Sequence, residues 1–171
     1  ALVGNPNCGK TTLFNALTGS RQRVGNWPGV TVEKKSGEYR HDGLRFEVVD
    51  LPGTYSLDVV DREVSLDESV ARDYVHGNEA ELVVNIVDAA NLERNLYLTT
   101  QLVEMRVPLL VVLNMVDVAQ AKGLAIDVEA LAHKLGCPVV PVVASEGRGV
   151  DALKAAILAA VKARKPASAR V

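Results

Sequence analysis

Between a short apolar run, Ala1 to Val3, and a helical pattern, the chain reads Gly4-Asn5-Pro6-Asn7-Cys8-Gly9-Lys10-Thr11-Thr12. This fits the spacing GxxxxGK[ST], and its place directly after a strand and before a helix gives the pattern meaning. Glycine at positions 4 and 9 lets successive backbone N–H groups turn inward around a phosphate. The helix that follows adds its positive N-terminal end, Lys10 reaches β- and γ-phosphate oxygens, and Thr11 offers a hydroxyl to Mg²⁺. The expected phosphate-binding set is Asn5, Asn7, Cys8, Gly9, Lys10, Thr11 and Thr12. A plain strand-to-helix turn is the alternative reading of the same residues.

A second set lies further along. Asp50-Leu51-Pro52-Gly53 closes the third expected strand, where a carboxylate faces Mg²⁺ through water and the Gly53 N–H senses a γ-phosphate. Thr31, with Gly29 and Val30 before it, lies in Gly25-Asn-Trp-Pro-Gly-Val-Thr-Val-Glu33, a breaker-rich stretch expected to be irregular. Thr31 is either a Mg²⁺ ligand or simply a β-former ahead of a strand. Two tetrapeptides of the form NxxD, Asn85 to Asp88 and Asn114 to Asp117, both end apolar strands. A carboxylate accepting from N1–H and N2–H₂ of guanine makes a bidentate choice that adenine cannot satisfy. In an open α/β sheet the ligand lies beyond the C-terminal strand ends, with the base toward the fifth and sixth strands. Asn114, Met115 and Asp117 are therefore assigned to guanine, with Ala144 and Ser145 completing the pocket through a backbone N–H. Asn85 is expected to pair within the sheet.

The elements that must hold these residues alternate. Strands are expected over 1–3, 31–39, 44–50, 82–88, 108–114 and 139–143, and helices over 11–17, 66–76, 92–105, 127–135 and 150–163. His41-Asp42-Gly43 signals a hairpin turn between the second and third strands. Leu109 to Leu113 is apolar on both faces, as strands are when helices cover a parallel sheet on each side. The expected fold is α/β: a six-stranded, mostly parallel sheet with one antiparallel edge strand and helices on both faces.

Composition narrows the partners. With 171 residues, 48% apolar and 23% charged, the chain has the make-up of a single domain with a substantial core. A net charge of −2, from 19 Lys+Arg and 21 Asp+Glu with no long basic run, argues against nucleic acid. Cys8 and Cys137 have no CxxC spacing and read as free structural thiols. The longest apolar stretch, Val107 to Leu113, is too short to span a bilayer. Asp58, Asp61, Glu63, Asp67 and Glu68 form an acidic run that reads as a solvated, mobile face rather than an iron relay. Residues 165–171, around Pro166, lose apolar periodicity and read as a linker after a nucleotide-binding domain over 1–164.

Taken together, these motifs in this order resemble a P-loop GTPase of the TrmE-Era-like class. The resemblance sharpens with Gly4-Asn-Pro-Asn-Cys-Gly-Lys-Thr-Thr-Leu-Phe-Asn15, Gly25-Asn-Trp-Pro-Gly-Val-Thr-Val-Glu33, Asp50-Leu-Pro-Gly-Thr-Tyr-Ser-Leu57, Asp88-Ala-Ala-Asn-Leu-Glu-Arg-Asn-Leu-Tyr-Leu98 and Leu113-Asn-Met-Val-Asp117. These are similar to the cytoplasmic GTPase domain of ferrous iron transport protein B. That resemblance implies a GTP- and GDP-binding, GTP-hydrolysing switch, with Asn7, Lys10, Thr31 and Gly53 at the catalytic centre. It also implies a place on the cytoplasmic face of the bacterial inner membrane, with a helical regulatory domain and a membrane domain following, and Fe(II) as the transported ion rather than a ligand of this domain. Thr54 stands where many GTPases carry a water-orienting Gln and is too short for that task, so slow intrinsic turnover is expected. Similar GTPases with Asn at the position of Asn7 bind K⁺ between it and carbonyls of the first switch, which the resemblance carries onto Gly25 and Trp27. The alternatives are a ribosome- or tRNA-associated GTPase and a GTP-gated interaction module with negligible hydrolysis.

Overall fold

The computed structural model describes residues 1–58 and 65–164. Five short β-branched runs, β1 (Leu2–Gly4), β4 (Leu44–Asp50), β5 (Val83–Asp88), β6 (Leu109–Asn114) and β7 (Val139–Pro141), lie parallel. β3 (Glu33–His41) pairs antiparallel with β4, and β2 (Gln22–Asn26) pairs antiparallel with β3. The single sheet has the order β2-β3-β4-β1-β5-β6-β7. The hairpin joining β3 and β4 turns through Asp42 (φ 51°) and Gly43 (φ 74°), two left-handed residues whose twist suits a two-residue loop.

The sheet therefore has seven strands rather than the six expected, and the reversed strand β3 is not its edge. The stretch 25–33, expected to be irregular, is regular at both ends: Gly25 and Asn26 complete β2 and Glu33 opens β3. β2 escapes sequence reading because all five of its residues are exposed, which leaves no hydrophobic alternation to detect. Backbone pairing from Gln22↔Gly37 to Asn26↔Glu33 alone defines it. The breakers are confined to a turn in which Trp27 N–H donates to Val32 O at 2.9 Å and Val30 N–H to Trp27 O at 3.2 Å.

Alternate side chains of the central strands enter two cores. Leu2, Val84, Ile86, Leu110 and Val112 pack against Leu13, Phe14 and Leu17 of α1 (Lys10–Thr18) and Leu153 and Ile157 of α6 (Val150–Arg164). On the other face Val3, Val83, Val87, Val111 and Leu113 meet Val75 of α2 (Leu66–His76) and Leu98 and Leu102 of α3 (Leu92–Glu104). Two further helices, α4 (Val116–Ala121) and α5 (Val128–Leu135), follow β6. α4 was not expected; at six residues it is too short to carry a readable period. Asp127 caps α5, its carboxylate accepting from Ala130 N–H at 3.0 Å.

The expected linker 165–171, with Asp61 and Glu63 of the acidic run, lies outside the described residues. Of the stretch 54–64 that follows the Asp50–Gly53 motif, residues 54–58 are described. Among the described residues no helix is long and apolar enough to cross a membrane.

Candidate functional site

The loop between β1 and α1 sits at the C-terminal ends of the parallel strands. Gly9 caps α1 at φ 89°, and any side chain there would collide with Asn114 Nδ2. The crowding has a purpose: Asn114 Nδ2 donates to Cys8 O at 3.0 Å, while its Oδ1 accepts from Ala144 N–H at 3.1 Å. One buried amide thus joins the glycine-rich loop, the end of β6 and the loop after β7. Burial raises the Cys8 thiol to about 11, so it is a packing group rather than a nucleophile.

At the front of the loop, Lys10 Nζ donates to Asp50 Oδ1, bringing the end of β4 against the start of α1. Thr11 and Thr12 lie exposed in the first turn of that helix, whose N-cap, Gly9, has no side chain to accept from its first N–H groups. Asn5 is buried, and neither its Oδ1 nor its Nδ2 has a partner among the described residues. With Pro6, Asn7 and Cys8 it lines a cavity of about 130 Å³ that reaches α3. Asn7 is exposed with φ 65°, a left-handed conformation that Asn tolerates.

The two NxxD tetrapeptides have different surroundings. Asn85 is buried in β5, where its Nδ2 donates to Val3 O at 3.2 Å and Thr99 Oγ1 donates to its Oδ1 at 2.5 Å. Asp88 accepts from Ala90 N–H and Asn91 Nδ2, both at 2.8 Å. Both side chains are spent inside the protein. Asp117 instead sits half-buried in the first turn of α4 with no hydrogen bond or ion pair among the described residues. Met115 before it holds φ 61°, a strained setting for an unbranched apolar residue. In the loop after β7 the Ala144 N–H is already taken by Asn114 and the Glu146 N–H by Val143 O at 3.0 Å. Ser145 is the residue there whose N–H makes no hydrogen bond among the described residues.

Other predicted residues stand apart from this cluster. Thr31 and Gly29 are exposed, Val30 packs on the second core, and none hydrogen-bonds to the glycine-rich loop. Gly25 is paired with Lys34 across β2 and β3. Trp27 is buried edge-on to Tyr74, ring centroids 5.4 Å apart, with Lys34 Nζ 4.7 Å from its ring centre. No hydrogen bond among the described residues joins Gly25 or Trp27 to Asn7. Thr54 turns inward: its N–H donates to Gly4 O at 3.0 Å and its hydroxyl to Ser56 O at 2.7 Å. Sequence reasoning passed over Gln101 of α3, which reaches the segment after Gly53. A buried Gln inside an amphipathic helix is the signal that could have found it.

A family model described as ferrous iron transport protein B matches residues 1–157. The Fe(2+) transporter FeoB of Salmonella typhimurium is 58% identical over 156 residues, which cover 91% of this chain and 20% of the transporter. The chain thus spans about a fifth of the curated relatives it matches. The FeoB G-domain from Methanococcus jannaschii is 52% identical with a TM-score of 0.81, covering 94% of this chain and 95% of that one. An S. thermophilus NFeoB mutant bound to GDP is 48% identical with a TM-score of 0.85, over 96% of this chain and 63% of that one.

Proposed function

The chain belongs to the ferrous iron transport protein B family, and from that premise we propose that it binds GTP and GDP, hydrolyses GTP, and serves as the nucleotide switch of a ferrous iron uptake protein at the cytoplasmic face of the bacterial inner membrane. The bond pair made by Asn114 carries this reading. By tying the glycine-rich loop to the loop after β7, it supports a phosphate subsite and a base subsite held in one frame.

The residues present fit the groups this reading requires. Backbone N–H groups from Asn7 to Thr12 at a helix start, with Lys10 among them, suit a polyphosphate. The hydroxyl of Thr11 and the carboxylate of Asp50 are hard oxygen donors suited to Mg²⁺, with Thr31 brought in from the turn after Trp27. Asp117 accepts the guanine N–H pair and the Ser145 N–H donates to its O6. Asn7, with the Gly25 and Trp27 carbonyls, would hold K⁺ once β2 and the 27–30 turn rearrange. Mg²⁺ and K⁺, when bound, neutralise charge on the β- and γ-phosphate oxygens. The inward turn of Thr54 leaves no side chain directly after Gly53 to orient water, which supports slow turnover without the monovalent ion. The helical regulatory and membrane domains of the family are the partners to which the switch reports, and Fe(II) is the cargo of the whole protein.

Displacement of a fluorescent GDP analogue tests the base assignment. GDP should displace it at least ~100-fold better than ADP, because a site built for the guanine N–H pair leaves Asp117 unpaired against adenine. Equal displacement by the two nucleotides would sink it.

A further inference from the structure

The stretch 51–58 around Gly53 is held from two directions. From the sheet side, Leu51 N–H donates to Leu2 O at 3.1 Å and Thr54 N–H to Gly4 O at 3.0 Å. From the other side it meets α3, where Arg94, Tyr97 and Gln101 recur at i, i+3 and i+7 and so form one stripe. Together they grip Tyr55, Ser56, Leu57 and Asp58. Gln101 Oε1 accepts from Leu57 N–H at 2.8 Å and its Nε2 donates to Ser56 Oγ at 3.1 Å. Tyr97 OH donates to Asp58 Oδ2 at 2.9 Å, and the Arg94 guanidinium lies 4.6 Å from the Tyr55 ring centre.

Gln101 stands out because it is 8% exposed and both ends of its amide serve this segment. Burying a primary amide costs free energy unless its donors and acceptor are satisfied, and here the satisfaction comes from residues 56 and 57. The Leu57 N–H can only donate, which fixes Oε1 as the end that faces it. The grip passes back toward the phosphate site in two short links. Ser56 O accepts the Thr54 hydroxyl at 2.7 Å, and Gly53 lies so close to the glycine-rich loop that a Cβ there would sit 3.2 Å from Pro6 N. Since Thr54 points inward, what this segment offers the phosphate site is the backbone of Gly53, and its placement depends on these anchors.

We propose that Gln101 is a positioning residue for GTP hydrolysis, acting through Ser56 and Leu57 to hold Gly53 against the glycine-rich loop. It touches no nucleotide atom and contributes nothing to affinity for GDP, whose phosphates and base are held elsewhere. This rests on the hydrolysis reading given above. Arg94 and Tyr97, both exposed, assist at the outer end of the same stripe.

The test uses this chain with three substitutions, Gln101→Leu, Ser56→Ala and Tyr97→Phe, in single-turnover GTP hydrolysis with K⁺ and Mg²⁺. Gln101→Leu keeps the volume but orphans the Leu57 N–H, and the rate should fall roughly tenfold with GDP affinity within about twofold of the unmutated protein. Ser56→Ala removes an oxygen that accepts from Gln101 Nε2 and Asp58 N–H, and Tyr97→Phe deletes the one bond to Asp58; both lie near the surface, so they report even if Gln101→Leu fails to fold. Each should slow hydrolysis roughly two- to threefold. Hydrogen exchange at the Leu57 amide should accelerate in Gln101→Leu while the β5 and β6 amides keep their protection. Unchanged rates in all folded variants overturn the proposal, as does a rate loss that merely tracks GDP affinity or the folded fraction. Should the unmutated chain show no GTP turnover, the hydrolysis reading fails instead, and the Leu57 exchange still decides whether Gln101 holds the segment.

Discussion

At the scale of single residues, the separation of roles between Asp88 and Asp117 makes the sharpest prediction. Asp117 has no partner among the described residues, so Asp117→Ala should cost about 1–3 kcal/mol of guanine-nucleotide affinity by leaving the base N–H groups unpaired. Asp88 caps the turn after β5 through Ala90 N–H and Asn91 Nδ2. Asp88→Ala should therefore spare affinity and lower stability by about 1 kcal/mol. Titration with a fluorescent GTP analogue and urea denaturation read the two effects, and equal affinity losses would show that base recognition has been assigned to the wrong tetrapeptide. Cys8 predicts a pH response. Burial raises its thiol from 9.0 to about 11, so the folded state holds this proton more tightly than the unfolded chain does. That contribution to stability is complete below pH 9.0 and is lost as pH rises through about 11. Thermal midpoints of the unmutated protein should fall across that window, and should fall less steeply in Cys8→Ala.

Secondary-structure elements set how far the site can move. β2 is an edge strand with every residue exposed, joined to the molecule by its pairing with β3. Such an element opens at low cost, so amides of residues 21–33 should exchange quickly with GDP and slow by at least ~10-fold with a non-hydrolysable GTP analogue, as Thr31 moves to the metal. Identical exchange in the two states would remove the switch role from this segment. β3 itself is fixed where it crosses α1: a Cβ at Gly37 would lie 2.7 Å from Thr18 Cγ2 and 2.8 Å from Arg21 O. Gly37→Ala should destabilise the fold by about 1–3 kcal/mol through this overpacking, read as an earlier urea midpoint. The same elements explain what the sequence revealed. The placement of Lys10, Thr11, Asp50 and Asn114 at strand ends and a helix start was legible because contiguous motif spacing marks where a strand stops and a helix begins. β2 was not, because an exposed strand has no apolar alternation, and α4 was hidden by its brevity. The reach of Gln101 to Leu57 and Ser56 was invisible because it joins residues more than forty positions apart.

In the whole molecule, apolar strands covered on both faces form a rigid platform whose C-terminal ends carry Gly4, Asp50, Asn114 and the loop of Ala144. Asn114 locks three of those ends together, while no hydrogen bond among the described residues joins Asn7 to Gly25 or Trp27. On the proposed cation mechanism, hydrolysis would require Asn7 and the carbonyls of Gly25 and Trp27 to come together, and a monovalent ion is the group that would draw them. Charge neutralisation of this kind can contribute several powers of ten in rate. Single-turnover GTP hydrolysis by this chain in KCl and then in NaCl, with Asn7→Ala measured alongside, tests this most directly. The unmutated protein should hydrolyse GTP at least ~10-fold faster in KCl, and Asn7→Ala should lose that stimulation. Equal rates in the two salts, or a mutant that keeps its response to K⁺, would contradict the cation mechanism and require the catalytic charge to come from a partner.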